Sequence, residues 1–446
     1  MQLNRRLTLF DATLLVIGNV VGAGIFTTSG FLAGELPHPL LFIAIWVIGG
    51  LLTICGALTY AEMASMYPRS GGDYQFLKAA YGPVAGFLLG WVSFWVITPG
   101  SIAALSIAMV GYVKEFFPLS NPFSEKVLAV AIISFLSFIN YLGVRLSGTV
   151  QDIFTLGNLL IVLTLIVSGL VFGSGSWQHF TFAASASVPF FKLFGPAMIA
   201  VIFTYSGWFV SAYVGGEVKK PERNLPLSLL LGALIVTIVY TLINITYLYA
   251  LPLSRINGII NVAQQAAGAL FNSAFSQILS ISIILAIIAS INATILAGAR
   301  IYYAMAEDNI FWSLFKRLHP TYNTPHLSIA SQMILACLLL FLGTFGQLLS
   351  YVVFVMLLSS IATGLAHFIL RIKKQEVPRP YRTWGYPVVP LLFICFYILI
   401  AAQIASAKPL TSIVGLIITM SGLPFFYIWI KIKKLQREKE QDYGGS

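Results

Sequence analysis

Twelve apolar runs alternate with short polar segments along this chain, at residues 9–34, 39–67, 82–113, 124–145, 151–172, 191–216, 226–250, 274–300, 326–346, 349–370, 387–406 and 410–431. Each nears or exceeds the roughly 20 residues a helix needs to cross a bilayer. The pattern predicts an all-α membrane protein with twelve transmembrane helices. Two runs carry an interruption: Val21-Gly22-Ala23-Gly24-Ile25-Phe26 in the middle of the first, and Thr204-Tyr205-Ser206-Gly207-Trp208 inside the sixth. A helix broken at bilayer depth frees N–H and C=O groups that hydrocarbon cannot satisfy, so they must line a protein cavity or a ligand site. Glycine also permits close helix packing, so either break alone reads equally well as packing. Two breaks in corresponding positions point to a central binding site.

Spans 1–5 and 6–10 form two five-helix sets. Five is odd, so the second set enters from the opposite face, which superposes span 1 on span 6. The expected organisation is a 5+5 inverted repeat with discontinuous helices 1 and 6, plus two extra helices. Residues 1–190 hold the first repeat and an external loop, 191–372 the second repeat, 373–431 helices 11 and 12, and 432–446 a cytoplasmic tail. Residue-level self-similarity is weak, so the repeat rests on the paired breaks. Between spans, 71–81 reads as a short amphipathic interfacial helix ended by Gly82-Pro83. Residues 253–273 read as a long external loop with helical parts, and 301–325 as an aromatic and charged linker. The polar, basic tail from Lys431 reads as a fraying end.

Composition agrees with the pattern and narrows it. The 446 residues are 58% hydrophobic and 9% charged, with a mean hydropathy of +0.88, which excludes a water-soluble domain. Residues 1–6 are basic, but the apolar run from Leu7 is span-length and lacks a small-residue cleavage site, so it reads as a span rather than a leader. The net charge of +11 invites a nucleic-acid partner. Its placement argues for lipid instead. Of the lysines and arginines, 21 fall in loops on one side, among them Arg6, Arg69 and Arg145, and 5 on the other: Lys114, Lys126, Lys192, Arg255 and Lys408. That asymmetry orients a multi-pass protein of the plasma (bacterial inner) membrane with both termini in the cytoplasm.

Cys55, Cys337 and Cys395 lie within spans and read as small core residues. The five histidines are scattered, so neither a metal site nor a cofactor is expected. The chemistry lies in the breaks. If span 1 unwinds near Gly22–Gly24, the half-helix beginning near Ile25 presents free N–H groups and a positive dipole end, sized for a carboxylate. Span 6 runs the other way. Its first half, ending near Phe203–Ser206, presents carbonyls and a negative end suited to an ammonium group. Together they read as a clamp for the backbone of an α-amino acid, with no charged side chain needed. Phe203 and Trp208 read as gate and pocket wall, or as ordinary aromatic packing. Ser206 reads as a substrate contact or as a partner for the broken backbone. Glu62 reads as part of an inner gate or as an interfacial salt bridge. No midplane carboxylate is present, which favours exchange over proton coupling and a neutral substrate over a charged one.

At these residues the chain resembles the amino acid/polyamine/organocation (APC) superfamily. Gly18-Asn19-Val20-Val21-Gly22-Ala23-Gly24-Ile25-Phe26 is similar to its first-helix signature. Thr59-Tyr60-Ala61-Glu62-Met63 with Pro68-Arg69-Ser70-Gly71-Gly72-Asp73-Tyr74 is similar to its second helix and first loop. Phe203-Thr204-Tyr205-Ser206-Gly207-Trp208 and Gly216-Glu217-Val218-Lys219-Lys220-Pro221-Glu222-Arg223-Asn224-Leu225-Pro226 are similar to its sixth helix and following loop. Asn292-Ala293-Thr294 to Arg300 and Pro378-Arg379-Pro380-Tyr381-Arg382 resemble later patterns. The likeness covers nearly the whole chain and is nearest to the L-type amino acid transporters and their bacterial relatives, including serine/threonine exchangers.

The resemblance implies alternating access and amino acid transport, often by exchange. It implies that Val21, Gly22, Ala23, Gly24 and Ile25 bind the substrate carboxylate and that Phe203, Thr204 and Ser206 bind its amino group, with Tyr205 and Trp208 nearby. Asn19, Asn158 and Glu62 are coupling or gating candidates. Sodium-independent relatives often carry a lysine where this chain has Asn158, in the stretch Asp152-Ile153-Phe154-Thr155-Leu156-Gly157-Asn158. A neutral amide does not replace that charge, so either exchange tolerates it or a cation takes the place. Animal relatives tether a glycoprotein subunit through a cysteine between helices 3 and 4. Residues 114–126 hold none, so no disulfide-linked heavy chain is expected. The resulting expectation is an exchanger of small to medium neutral L-amino acids and not an enzyme. The alternatives are a sodium- or proton-coupled symporter or an amine/polyamine exchanger. An intramembrane acyltransferase would need a buried histidine, paired carboxylates or a metal cluster. A nutrient sensor would share the fold but carry longer tails.

Overall fold

The first apolar run folds as two helices. Thr8 caps α1 (Leu9–Val20) in a reciprocal box with Asp11, as a Thr-x-x-Asp start allows. The helix stops at Val21. Gly22 is extended, at φ −122° and ψ −154°, and α2 (Ala23–Glu35) restarts at a 41° bend. The second half-helix thus begins at Ala23, two residues before the expected Ile25, because the extended Gly22 itself serves as N-cap. The computed structural model describes residues 5–444, apart from 6, 37, 69–70, 118, 120, 144–147, 182–188 and 323, and describes the backbone alone for 148–154, 190 and 432–444. Arg6, Arg69, Arg145 and the Asp152 side chain therefore lie outside the described residues.

Helix α3 (Pro39–Met66) leads through a Gly71–Gly72 turn to α4 (Asp73–Tyr81), the expected amphipathic segment. Its buried residues Asp73, Phe76, Leu77 and Ala80 follow helical spacing. Helices α5 (Pro83–Val92) and α6 (Thr98–Val113) form one span with a widened turn between them at Ser93–Ile97. Pro99 lacks the N–H that would close a normal turn there, and the Tyr302 hydroxyl donates to Ser93 O at 3.0 Å. There follow α7 (Pro122–Tyr141), α8 (Gly148–Phe172), α9 (Phe190–Tyr205), the short α10 (Val210–Tyr213) and α11 (Pro221–Ala250). The external loop holds α12 (Leu253–Ile256) and α13 (Val262–Leu270). Next come α14 (Ser273–Glu307), α15 (His326–Leu342), α16 (Phe345–Lys373), α17 (Val388–Ala407) and α18 (Pro409–Gly444).

Among the described residues nine helices are long and apolar enough to span a membrane, ten with the bent α1–α2 pair counted as one. The other two expected spans are α9 and α15, with 16 and 17 residues. Several boundaries move, two of them furthest. Span 8 runs to Glu307 rather than 300, since residues 301–307 hold good helix formers and no glycine or proline. The tail continues α18 to Gly444 instead of fraying at Lys431, because its Lys, Gln, Arg and Glu favour helix.

The faces are named from the chain: α1 begins at the near face and α2 ends at the far face. Helices α1, α2, α3, α9, α10 and α11 pack on one another, and α6, α7, α14 and α15 form a second set, with α8 and α16 touching both. Each set takes corresponding helices from both halves of the chain. At the near face a parallel pairing, Leu7 with Val218, ties the start of α1 to the segment after α10.

Candidate functional site at two helix breaks

Gly22, one residue past the Val21 C-cap of α1, caps α2 with no side-chain hydrogen bond. The first N–H groups of α2, those of Ala23, Gly24 and Ile25, have no preceding helical turn to bond them. They carry the positive end of the α2 dipole, worth roughly half a charge. Val21, Gly22, Ala23, Gly24 and Ile25 are all buried.

The second break opposes the first. Helix α9 stops at Tyr205, Ser206 turns at ψ 148°, and Gly207 sits at φ +96° before the chain re-enters α10. Only glycine fits at 207: its φ is left-handed, and a Cβ would lie 2.2 Å from Asn19 Nδ2. The Asn19 amide instead donates to Gly207 O at 3.1 Å, joining the last turn of α1 to the second break. The two broken helices meet at Gly24 and Thr204, where a Cβ on Gly24 would come within 3.1 Å of the Thr204 backbone. Close by, the Thr28 and Thr204 hydroxyls lie 2.6 Å apart.

Three tyrosine hydroxyls hold the broken backbone from outside. Tyr240 on α11 donates to Val20 O at 2.6 Å and to Thr204 O at 3.2 Å, one hydroxyl bridging both breaks. Tyr247 donates to Ile25 O at 3.3 Å, and Tyr112 on α6 to Phe26 O at 2.6 Å. Buried carbonyls near a break thereby find partners in protein, as hydrocarbon depth requires. Ser290 on α14 faces the break, with its Oγ 2.7 Å from where a Gly22 Cβ would stand. None of these four residues was expected from sequence. The available signal was a polar group on an apolar span, Ser290 in Ile288–Ile291 and tyrosines one to two turns apart on α11.

The remaining expected site residues divide. Phe203 is buried at the end of α9, and its carbonyl accepts from Ser206 N at 3.1 Å and Ser206 Oγ at 2.6 Å. The Ser206 hydroxyl thus satisfies broken backbone. Tyr205 donates to Trp46 O at 3.0 Å and packs between Trp46 and Tyr240, inside the first helix set. Trp208 lies edge-on to Tyr60, with ring centroids 4.7 Å apart, and beside Phe393 and Gly56. Its ring lies in the groove between α3 and α17. Asn158 is buried on α8. Thr155 faces Gly18 of α1, and the two helices run the same way, so Asn158, one turn on, comes level with Val21.

Glu62 lies away from the breaks and is fully buried. Its carboxylate accepts from Arg371 Nε at 2.8 Å and Nη2 at 2.5 Å, and from Thr383 N at 2.8 Å. His367 Nε2 lies 3.1 Å away and Arg379 Nε 3.5 Å away. The ion pair with Arg371 is buried between α3, α16 and the loop before α17, where removing one partner leaves an uncompensated charge.

Neither 18–28 nor 202–209 contains a charged residue. Among the described residues no group of three or more His, Cys, Asp or Glu side chains is placed to hold a metal ion. What the arrangement offers is two opposed peptide ends, N–H groups from α2 and carbonyls from α9, brought together without side-chain charge.

Comparisons with known proteins bear on this geometry. A family model described as amino acid permease matches residues 7–429. The serine/threonine exchanger SteT of Bacillus subtilis (strain 168) is 32% identical over 428 residues, covering 95% of this chain and 97% of that protein. Large neutral amino acids transporter small subunit 2 of Homo sapiens is 28% identical over 440 residues, covering 96% and 81%. Asc-type amino acid transporter 1 of Homo sapiens is 29% identical over 442 residues, covering 96% and 83%.

Proposed function

Because the chain belongs to the amino acid permease family, we propose that it is an alternating-access exchanger of small to medium neutral L-amino acids. The observation that carries this reading is the pairing of two opposed helix ends, at Gly22–Ala23 and Tyr205–Ser206, in contact at Gly24 and Thr204. The N–H groups of Ala23, Gly24 and Ile25 take the substrate carboxylate, and the last carbonyls of α9 take its ammonium group. With no charged side chain in either break, the rest of the substrate is neutral. The printed names of the relatives, a serine/threonine exchanger, a large neutral amino acid transporter and an Asc-type amino acid transporter, support the same class.

The near face is assigned to the cytoplasm of a plasma membrane, from the 21 to 5 split of basic residues. The 5+5 inverted repeat is supported by the way each packed set draws corresponding helices from both halves. Residues 114–126 contain no cysteine, so no disulfide-linked heavy chain is assigned.

Asn158 bears on coupling. A neutral amide level with the first break leaves that region without a fixed positive charge, which favours sodium-coupled transport as the second reading. The test is uptake of radiolabelled neutral amino acids into proteoliposomes of purified protein, with and without internal amino acid, in sodium and in choline. Uptake that requires internal amino acid and ignores sodium supports exchange. Uptake into empty vesicles, or dependence on sodium, overturns it. In the sodium-dependent case Asn158→Lys is expected to abolish that dependence. A decarboxylated amine that competes as well as the amino acid would remove the carboxylate site.

A further inference from the structure

The near face holds a second arrangement that neither the breaks nor the Glu62 cluster uses. Helix α10, the inner half of the second broken span, ends at Tyr213. Three consecutive residues before and at the start of α4 grip that tyrosine. Gly71 N donates to Tyr213 O at 3.0 Å. Gly72, at φ +47°, lies so close to the ring that a Cβ would stand 2.3 Å from it. The Tyr213 hydroxyl donates to Asp73 Oδ2 at 3.0 Å. The Tyr60 hydroxyl from α3 and the Thr363 hydroxyl from α16 face the same carboxyl. The other side of α4 is anchored elsewhere: Tyr74 and Lys78 both bond Asp308, which caps α14, the lysine at 3.2 Å. One short helix therefore joins the broken span of the first packed set to a helix of the second.

We propose that Asp73 is a positioning residue of the transport cycle: with Gly71 and Gly72 it clasps Tyr213 and holds the inner half of the second broken helix closed at the near face. The inference rests on the exchange reading for its role in transport, but the clasp itself does not depend on which substrate moves.

The chemistry of the clasp makes it sensitive to protons. Asp73 is buried. Among the described residues no lysine, arginine or histidine pairs with it. The groups facing it are Tyr60 from α3, Tyr213 from α10 and Thr363 from α16. Lys78 on its own helix is engaged by Asp308, and His367, one turn beyond Thr363, by Thr383 and Glu62. Burial raises the carboxyl from 3.8 to about 6, against the hydroxyls that lower it. Opening the near face exposes the group to water and returns it toward its ordinary value. The closed state then binds the proton more tightly, so its added stability is present in acid and is lost as pH rises through about 6.

The test is labelling of a cysteine placed on α10 by Ser211→Cys, in full-length protein lacking Cys55, Cys337 and Cys395, with a membrane-impermeant maleimide. Ser211 is fully buried in the closed arrangement. Rates are read with Asp73 and with Asp73→Asn at pH 5.5 and 7.5, and their ratio at each pH cancels the titration of the thiol. The ratio is expected to rise by about fourfold from the lower to the higher pH, from linkage between the two carboxyl values. A flat ratio overturns the clasp. Tyr213→Phe is a second variant, expected to raise labelling at both pH values, and unchanged labelling there also overturns it. Labelling needs no substrate, so a pH-dependent ratio in protein that exchanges no amino acid would sink the transport reading and leave the clasp standing.

Discussion

Gly24 is where a single atom decides whether the two broken helices meet. A Cβ there stands 3.1 Å from the Thr204 Cα, and backbone cannot swing aside as a flexible side chain would. Gly24→Val is expected to abolish uptake while the protein still inserts and runs as a monodisperse peak in detergent. Wild-type flux in such protein would remove the clamp. Glu62→Gln reads a different risk. It leaves Arg371 without a carboxylate in a buried cluster and is expected to cost about 3–5 kcal/mol, seen as a lower Tm; pairing it with Arg371→Gln should restore part of that loss. Glycine and aromatic identities at the breaks were legible in the sequence because the motif is local. The directions of Tyr205 and Trp208 were not. Both lie beside a break in sequence, yet their rings turn into the α3, α11 and α17 grooves. Partners more than a hundred residues away decide that, and a linear pattern does not display them.

At the scale of elements, hydropathy located the runs well and their interruptions better. Both breaks fall within two residues of where glycine interrupts the apolar pattern. What hydropathy could not reveal is backbone geometry inside a run, such as the widened turn before Pro99 or the helical continuation of the last span to Gly444. The second break depends on one left-handed residue. Gly207→Ala would strain its φ of +96° and drive a methyl into the Asn19 amide. The expected result is at least about a tenfold fall in maximal exchange together with a lower Tm, measured side by side on one preparation. An unaffected exchange rate would mean that the turn at Gly207 only packs.

Across the whole molecule, two packed sets face each other, with the breaks between them and short ties at the near face. Within the first set, the Leu7–Val218 pairing ties the start of α1 to the segment after α10. A Leu7→Cys and Val218→Cys pair, oxidised, is expected to stop exchange, and reductant to restore it. Continued exchange in the crosslinked protein would show that this edge stays shut throughout the cycle. Which residues hold the breaks and join the two sets was hidden in the sequence, because Tyr240, Ser290 and Asp73 look ordinary until the fold sets them against a carbonyl, a glycine and a tyrosine. A last consequence follows from the hydroxyls of Tyr112, Tyr240 and Tyr247, which bond main-chain oxygens around the first break. In the proposed clamp, recognition of the part shared by every amino acid falls to peptide groups, which no exchange of side chains deletes. Mutation in such a lineage is then free to alter taste, drifting from one residue class to another, while appetite for amino acids as such is inherited with the backbone.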